Sequence, residues 1–228
     1  MSRLVHIPET KVPGRRLGRH IEHDSRSKSF EATTRKASLV TKYWKRHVAP
    51  FDQGDLGSCT GNAMAGVLGT DPFYGSVSPV NEQLAIDIYS AATRLDYVRG
   101  HYPPDDTGSS GLAAAKAAAR MGLIHGYHHA FTLNGCLASL GHVGPVIVGV
   151  NWYEGFDVPH GTGAQLVIEG QVRGGHEVEL LGVEVENRLV YGVNSWGPSW
   201  GNGGYFSLAF ETLERLLAED GDCTVPFL

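Results

Sequence analysis

Three separated segments of the 228-residue chain carry side chains that could together do nucleophilic chemistry. They are Gln53 and Cys59 in a glycine-punctuated stretch, then His176, then Asn194 in Asn194-Ser195-Trp196-Gly197-Pro198-Ser199-Trp200-Gly201. A free thiol is mostly protonated near its pKa of about 8.5, but a helix N-terminus and a neighbouring imidazolium lower that by several units. Cys59 opens a run holding Gly61, Ala63, Ala65 and Gly66, small residues that suit a closely packed helix, so a thiolate is expected at the positive end of a helix over residues 59–68. His176 would share the thiol's proton and later give it to a leaving amine. The amide of Asn194 would hold the ring without adding negative charge, and the indole of Trp196 would shield that bond from water. Gln53 and the backbone N–H of Cys59 would donate to a developing oxyanion, a contribution of about 3 kcal/mol per donor. Cys59, His176, Asn194 and Gln53 are thus expected to make an acyl-transfer site. Taken singly, each residue reads as a core or turn residue, and Cys136 and Cys223 keep that reading as small buried hydrophobes.

These residues must be held by elements, and the turn formers and apolar spacing mark them out. Ser78-Pro79 supplies a cap and first-turn proline for a helix with Leu84, Ile88, Ala91 and Leu95 on one stripe, running to about Asp96. Ser109 or Ser110 can cap an alanine-rich helix over residues 111–121 that Gly122 stops. From Val143 the texture changes to β-branched runs, predicting antiparallel strands over 146–150, 164–168, 176–185, 188–194 and 204–208, with a short helix over 211–218. Helices first and strands second predict an α+β protein of two subdomains.

The segments Gln53…Cys59, Gly175-His176 and Asn194-Ser195-Trp196-Gly197-x-x-Trp200-Gly201, in that order, resemble the papain-like cysteine peptidases over roughly residues 43–208. The resemblance implies a helical subdomain at about 50–140, a β-sheet or barrel-like subdomain at about 141–228, and an active-site cleft between them. It implies hydrolysis of peptide bonds in a peptide or protein substrate through a Cys59 thioacyl-enzyme. Ser110 falls near the family's glycine pair that bonds substrate backbone, and Gly175, Glu177, Trp196 and Trp200 are expected to bind substrate. Glu177 stands where the family places a small or apolar residue near a substrate pocket, so a basic or polar substrate side chain is expected. Leu56 replaces a cysteine found in many extracellular members, and Thr60 replaces the usual aromatic after the nucleophile. Two other readings stay open: an amidase or transferase acting on a specialised amide such as a peptidoglycan peptide, and a non-catalytic binding protein on the same fold.

Composition narrows the classes further. With 42% hydrophobic and 19% charged residues the chain is an ordinary globular one, not a disordered or collagenous one. Its longest apolar stretch, residues 143–150, is broken by Gly144, Pro145 and Gly149 and is far short of the roughly 18 residues that span a bilayer. Three cysteines cannot all pair and residues 1–25 lack an apolar signal core, so a reducing, cytoplasmic setting is expected. Residues 1–50 hold 12 of the 19 Lys and Arg against 4 of the 24 acids, a balance of +8 that leaves −13 for the rest. No aromatic-interleaved basic motif accompanies this, so neither nucleic acid nor membrane is expected as partner. The basic arm, residues 1–42, is expected to dock in cis on the acidic body. It either wraps the body permanently, which Ile21, Phe30, Leu39 and Val40 as anchors favour, or acts as a short inhibitory prosegment. His125, His128 and His129 have no acid or cysteine at ligand spacing and read as surface histidines after a helix, and Asp105-Asp106 as a solvated turn, so no metal or cofactor is expected.

Overall fold

The computed structural model describes residues 3–24, 26–27, 31–32, 37–98 and 100–228. Phe30, one of the expected arm anchors, lies outside them. The arm contributes β1 (Arg3–Val5) and β2 (Ile21–His23), which pair antiparallel with each other, and β3 (Lys42–Tyr43), which adds to the main sheet.

Ten uncharged residues, Cys59–Leu68, form α1, and all ten are buried. Their small size lets α1 lie almost backbone to backbone on α2 (Glu82–Thr93): a Cβ at Gly61 would stand 2.8 Å from the Cβ of Tyr89. The cap of α2 is Asn81, not Ser78, because Asn81 accepts the N–H of Leu84 at 3.1 Å. Ser110 caps α3 (Gly111–Arg120) in the same way through the N–H of Ala113. Met64, Leu68, Ile88, Ile124 and the alanines of α3 close a core between these three helices. Each large member contributes about 2 kcal/mol by leaving water.

The rest of the chain builds one antiparallel sheet from β4 (Gly126–Ala130), β5 (Val146–Tyr153), β6 (Val172–Glu184), β7 (Leu189–Val193), β8 (Tyr205–Ala209) and β9 (Asp222–Phe227), in the order β4-β9-β5-β6-β7-β8, with β3 on β6. The path is open and does not close into a barrel. Two further helices, α4 (Leu133–His142) and α5 (Phe210–Ala218), pack on it, with Leu137, Leu140, Leu213 and Leu216 joining the sheet's core. Residues 126–142, expected on the helical side, therefore sit with the sheet. The joint between α1 and β6 is polar at one point, where Arg46 pairs with Glu179, which also accepts from Thr70 Oγ1 at 2.7 Å. Gly66 leaves the room for both side chains.

Two other expectations fail locally. Residues 164–168 are not a strand: Gln165 makes only single bridges to His160 and Ser207, and Ala164 adopts φ +47°, so the segment anchors by burying Ala164 and Leu166 instead. His128 and His129 lie in β4, paired to β9, and His129 is buried, where burial pulls its pKa down to about 4. Gly-Tyr-His-His-Ala has no β-branched residue to announce a strand. Among the described residues no helix is long and apolar enough to cross a membrane, and no group of three or more His, Cys, Asp or Glu is placed to hold a metal ion.

Candidate active site

Cys59 is the first residue of α1, and the preceding Ser58 turns its hydroxyl to Asn62 Oδ1 at 2.8 Å rather than capping the helix. The amides at this end are thus left to the thiol and to whatever binds beside it. His176 lies within β6, opposite Val150 of β5. Its Nε2 is 2.7 Å from Asn194 Oδ1, and that oxygen also accepts the N–H of Ser195 at 2.7 Å. Because the Ser195 amide can only donate, the atom facing His176 is the oxygen of Asn194, so Nε2 must carry hydrogen. The neutral ring then presents a bare Nδ1, and that atom is buried with no hydrogen-bond partner.

Two tryptophans wall the ring, and a third stands behind them. Trp196 lies 5.1 Å from His176, tilted at 34°, and Trp152 meets it edge-on at 4.7 Å. Trp152 sits on β5 and is unmarked in the sequence except as part of an apolar run, yet it packs directly on the base. Trp200 touches Trp152, Trp196 and Phe206, not the site, and donates to the carbonyl of Asp157 at 3.2 Å. The expectation that Trp200 binds substrate is corrected accordingly: the indole is a core pillar under the turn. Burial, assisted by the charge of Arg173, pulls His176 down to about 3.

Gln53 is stitched to the same turn. Its N–H donates to Ser195 O at 2.9 Å, its Oε1 accepts from Ser195 Oγ at 2.5 Å, and its Nε2 donates to Leu56 O at 2.8 Å. The amide is thereby oriented, with one N–H left over for an oxyanion. Asp106, expected to be solvated, accepts the N–H of Gly57 at 3.1 Å and the hydroxyl of Tyr89 at 2.5 Å. It braces the loop leading into Cys59, and only the three-dimensional approach of residues 57, 89 and 106 reveals this.

The arm lies against the residues that flank these groups. Arg16 N–H donates to Gly54 O, Trp196 Nε1 donates to Arg16 O at 3.1 Å, and the N–H groups of Gly18 and Arg19 both reach Gly175 O, at 3.2 and 3.0 Å. Ser109 donates to Gly18 O and accepts from His20 N–H, both at 2.9 Å. The neighbour Ser110 instead caps α3, donates its hydroxyl to Glu22 and its N–H to Asp96. The backbone-pairing residue is therefore Ser109, not Ser110. Gly18 is required here: it has φ +148°, and a Cβ would run into the backbone of Gly57. Leu17, Arg19 and His20 are buried. His20 sits between Asp96 Oδ1 at 3.1 Å and Thr107 O at 2.7 Å.

Cys59 is fully buried in this arrangement. Burial, then the charge of Glu177, pushes its thiol far up, against backbone hydrogen bonds from Glu177 and Thr60 that pull it down. The thiolate expected from the helix end is thus a neutral thiol while the arm is in place, because desolvation outweighs the helix end. Glu177 does border the site, its carboxylate buried against Gly111, Gly149 and Arg19.

A buried histidine with its tautomer set by an asparagine, a thiol at a helix N-terminus and a helical layer beside an antiparallel sheet define a cysteine-protease type of site. Residues 96–223, more than half of the chain, match the model of the papain family of cysteine proteases, and the chain belongs to that family. It is 30% identical over 122 residues to the cathepsin B-like CP3 of Giardia intestinalis, a match covering 50% of this chain and 40% of that protein. It is 37% identical over 75 residues to cathepsin B-like cysteine proteinase 3 of Caenorhabditis elegans, covering 32% and 20%. The chain thus spans less than half the length of these curated relatives. Xylellain, a cysteine protease from Xylella fastidiosa, shares the fold with a TM-score of 0.73 over 96% of this chain and 98% of that one, at 18% identity. The digestive procathepsin L 3 of Tenebrio molitor shares it with a TM-score of 0.63 at 16% identity.

Proposed function

We propose that the protein is a cysteine peptidase that hydrolyses peptide bonds through a Cys59 thioacyl intermediate. The observation that carries this is the bare, buried Nδ1 of His176, with the opposite nitrogen committed to an Asn194 oxygen that Ser195 pins. A ring held only for packing would gain nothing from keeping one nitrogen unsatisfied in the interior. Once substrate replaces the arm, Cys59 passes its proton to Nδ1, and the imidazolium stabilises the thiolate as it attacks the carbonyl carbon. The developing oxyanion takes the N–H of Cys59 and the free N–H of Gln53. His176 then protonates the leaving amine, and as a base it activates the water that breaks the thioester.

The arm supports a reading in which residues 14–20 hold the substrate path in cis, since Gly175 O and the N–H and C=O of Ser109 are taken up by arm backbone. Turnover then requires the arm to move or be cut. Alkylation by iodoacetamide, read by peptide mass mapping, together with hydrolysis of a fluorogenic peptide library, tests the assignment. With residues 1–35 deleted, selective labelling of Cys59 over Cys136 and Cys223, and turnover lost in Cys59→Ala, are expected. Equal labelling of the three thiols, or turnover surviving in Cys59→Ala, overturns it.

A further inference from the structure

The segment that carries Ser109 is moored along α2. Ser90 Oγ donates to Tyr102 O at 2.6 Å, the N–H of Tyr102 donates to Thr93 Oγ1 at 3.0 Å, and the N–H of Gly108 donates to the hydroxyl of Tyr89 at 3.0 Å. That hydroxyl gives its own hydrogen to Asp106 Oδ1 at 2.5 Å. Asp106 in turn accepts the N–H of Gly57, at 3.1 Å through Oδ1 and 3.2 Å through Oδ2. Gly57 is fitted to this approach, since a Cβ there would stand 2.8 Å from Asp106 Oδ1. One residue past the nucleophile, Thr60 is fully buried, and its hydroxyl shares a hydrogen bond of 2.5 Å with that of Ser109.

Two polar links therefore run between the nucleophile loop and Ser109. One passes from Gly57 through Asp106 and Tyr89 to Gly108, starting two residues before Cys59 and ending one residue before Ser109. The other joins the residue after Cys59 to Ser109 directly. A tyrosine held for packing is satisfied by one acceptor, whereas this hydroxyl both accepts and donates, and both of its partners lead to the site. Burial and then the neighbouring Asp106 push the Tyr89 phenol far above its ordinary value, so it keeps the hydrogen that the link needs. Thr60 stands where the family has an aromatic residue, and it brings Ser109 a hydroxyl that no hydrocarbon ring supplies. We infer that Tyr89, Asp106 and Thr60 are positioning residues that fix the spacing between the Cys59 thiol and the main-chain groups of Ser109. The N–H and C=O of Ser109 now hold Gly18 O and the N–H of His20, and on the peptidase reading, on which the inference rests, a substrate backbone takes those places. A carbonyl held about 1 Å out of line with the thiol reacts about a hundredfold more slowly.

Two measurements on the full-length protein test this. In the first, Cys59 is labelled by iodoacetamide, which needs only the thiol, and by a tripeptidyl vinyl sulfone, which must also pair with Ser109. Tyr89→Phe and, independently, Thr60→Val are expected to lower the ratio of the vinyl sulfone rate to the iodoacetamide rate about tenfold or more, and Thr60→Ser to keep it near that of the wild type. Loosening of the arm speeds both reagents, so the ratio reports alignment. In the second, amide hydrogen exchange in Tyr89→Phe is expected to quicken at Gly57 as well as at Gly108, because the link passes through the phenol. A wild-type ratio in whichever of Tyr89→Phe and Thr60→Val folds, even with a lowered melting temperature, overturns the positioning role. Exchange that quickens at Gly108 alone overturns the link through Asp106. Labelling of the wild type by iodoacetamide but never by the vinyl sulfone, with exchange at Gly57 and Gly108 quickened together in Tyr89→Phe, overturns the peptidase reading and leaves the link standing.

Discussion

At the scale of single residues, the site divides into groups that react and groups that hold them. Cys59→Ala removes the nucleophile and is expected to abolish peptide hydrolysis. His176→Ala is expected to cost about 10²–10⁴ in kcat as proton transfer is lost. Asn194→Ala is expected to be milder, because Trp152 and Trp196 still confine the ring. Equal loss in Asn194→Ala and Cys59→Ala, measured by kcat on one fluorogenic peptide, would show that the asparagine does more than orient. The depressed pKa of His176 also makes a prediction about pH. Burial favours the neutral ring, so protonation favours states in which the ring is released. The stabilising contribution is complete above the ordinary histidine pKa of about 6.5 and is lost progressively as pH falls towards the folded value of about 3. The melting temperature is therefore expected to decline across that window, and His176→Gln to decline less steeply. Parallel declines in the two proteins would count against a buried neutral imidazole.

At the scale of elements, the reactive groups are placed by ends and turns rather than by helix or strand interiors. The start of α1 presents Cys59, and the turn after β7 presents Asn194 and grips Gln53 through Ser195. The loop ahead of α3 offers Ser109. The ends depend on local chemistry, so they answer to local changes. Removing the cap in Asn81→Ala is expected to cost about 1 kcal/mol in denaturant unfolding with little effect on kcat. A different test reaches the contact between the arm and the nucleophile loop. Gly18→Ala places a methyl group against the Gly57 backbone at a left-handed φ, and it is expected to lift the arm and speed iodoacetamide labelling of Cys59 severalfold. Unchanged labelling would mean that the arm's hold does not depend on that close approach.

At the scale of the whole molecule, a basic N-terminal arm and an acidic body meet over the cleft. The contact is more than diffuse attraction between charges: Leu17, Arg19 and His20 are buried, Arg173 bonds the carbonyls of Thr10 and Arg15, and His20 is locked between Asp96 and Thr107. The contrast between a wrapped arm and an inhibitory strap dissolves if the same contacts do both. Deleting residues 1–35 is expected to raise Cys59 labelling and also to lower the melting temperature by about 10 °C, because Leu17 and Ile21 alone bury about 4 kcal/mol of apolar surface. Faster labelling with unchanged melting would reduce the arm to a strap, and a lowered melting temperature with no gain in labelling would reduce it to scaffold.

The amino-acid sequence by itself marked Gln53, Cys59, His176 and Asn194 as one candidate set, because those residue types have few other reasons to occur in that order beside glycines and tryptophans, and the structure joins His176 to Asn194 and Gln53 to the adjacent Ser195. It also determined α1 and α3, whose small residues and serine cap act over a single turn. Strand β4, helix α4 and the hairpin of β1 and β2 were not legible, since their short or mixed segments are stabilised by partners far along the chain. Only the tertiary structure decided that Ser109 rather than Ser110 pairs with the arm, that Trp152 rather than Trp200 touches the base, and that Asp106 braces the nucleophile loop. It also decided that the thiol is neutral under the arm. Protonation depends on solvent exclusion and on charges brought close in space, and here those come from the burial of Cys59 and from Glu177, far along the chain on β6.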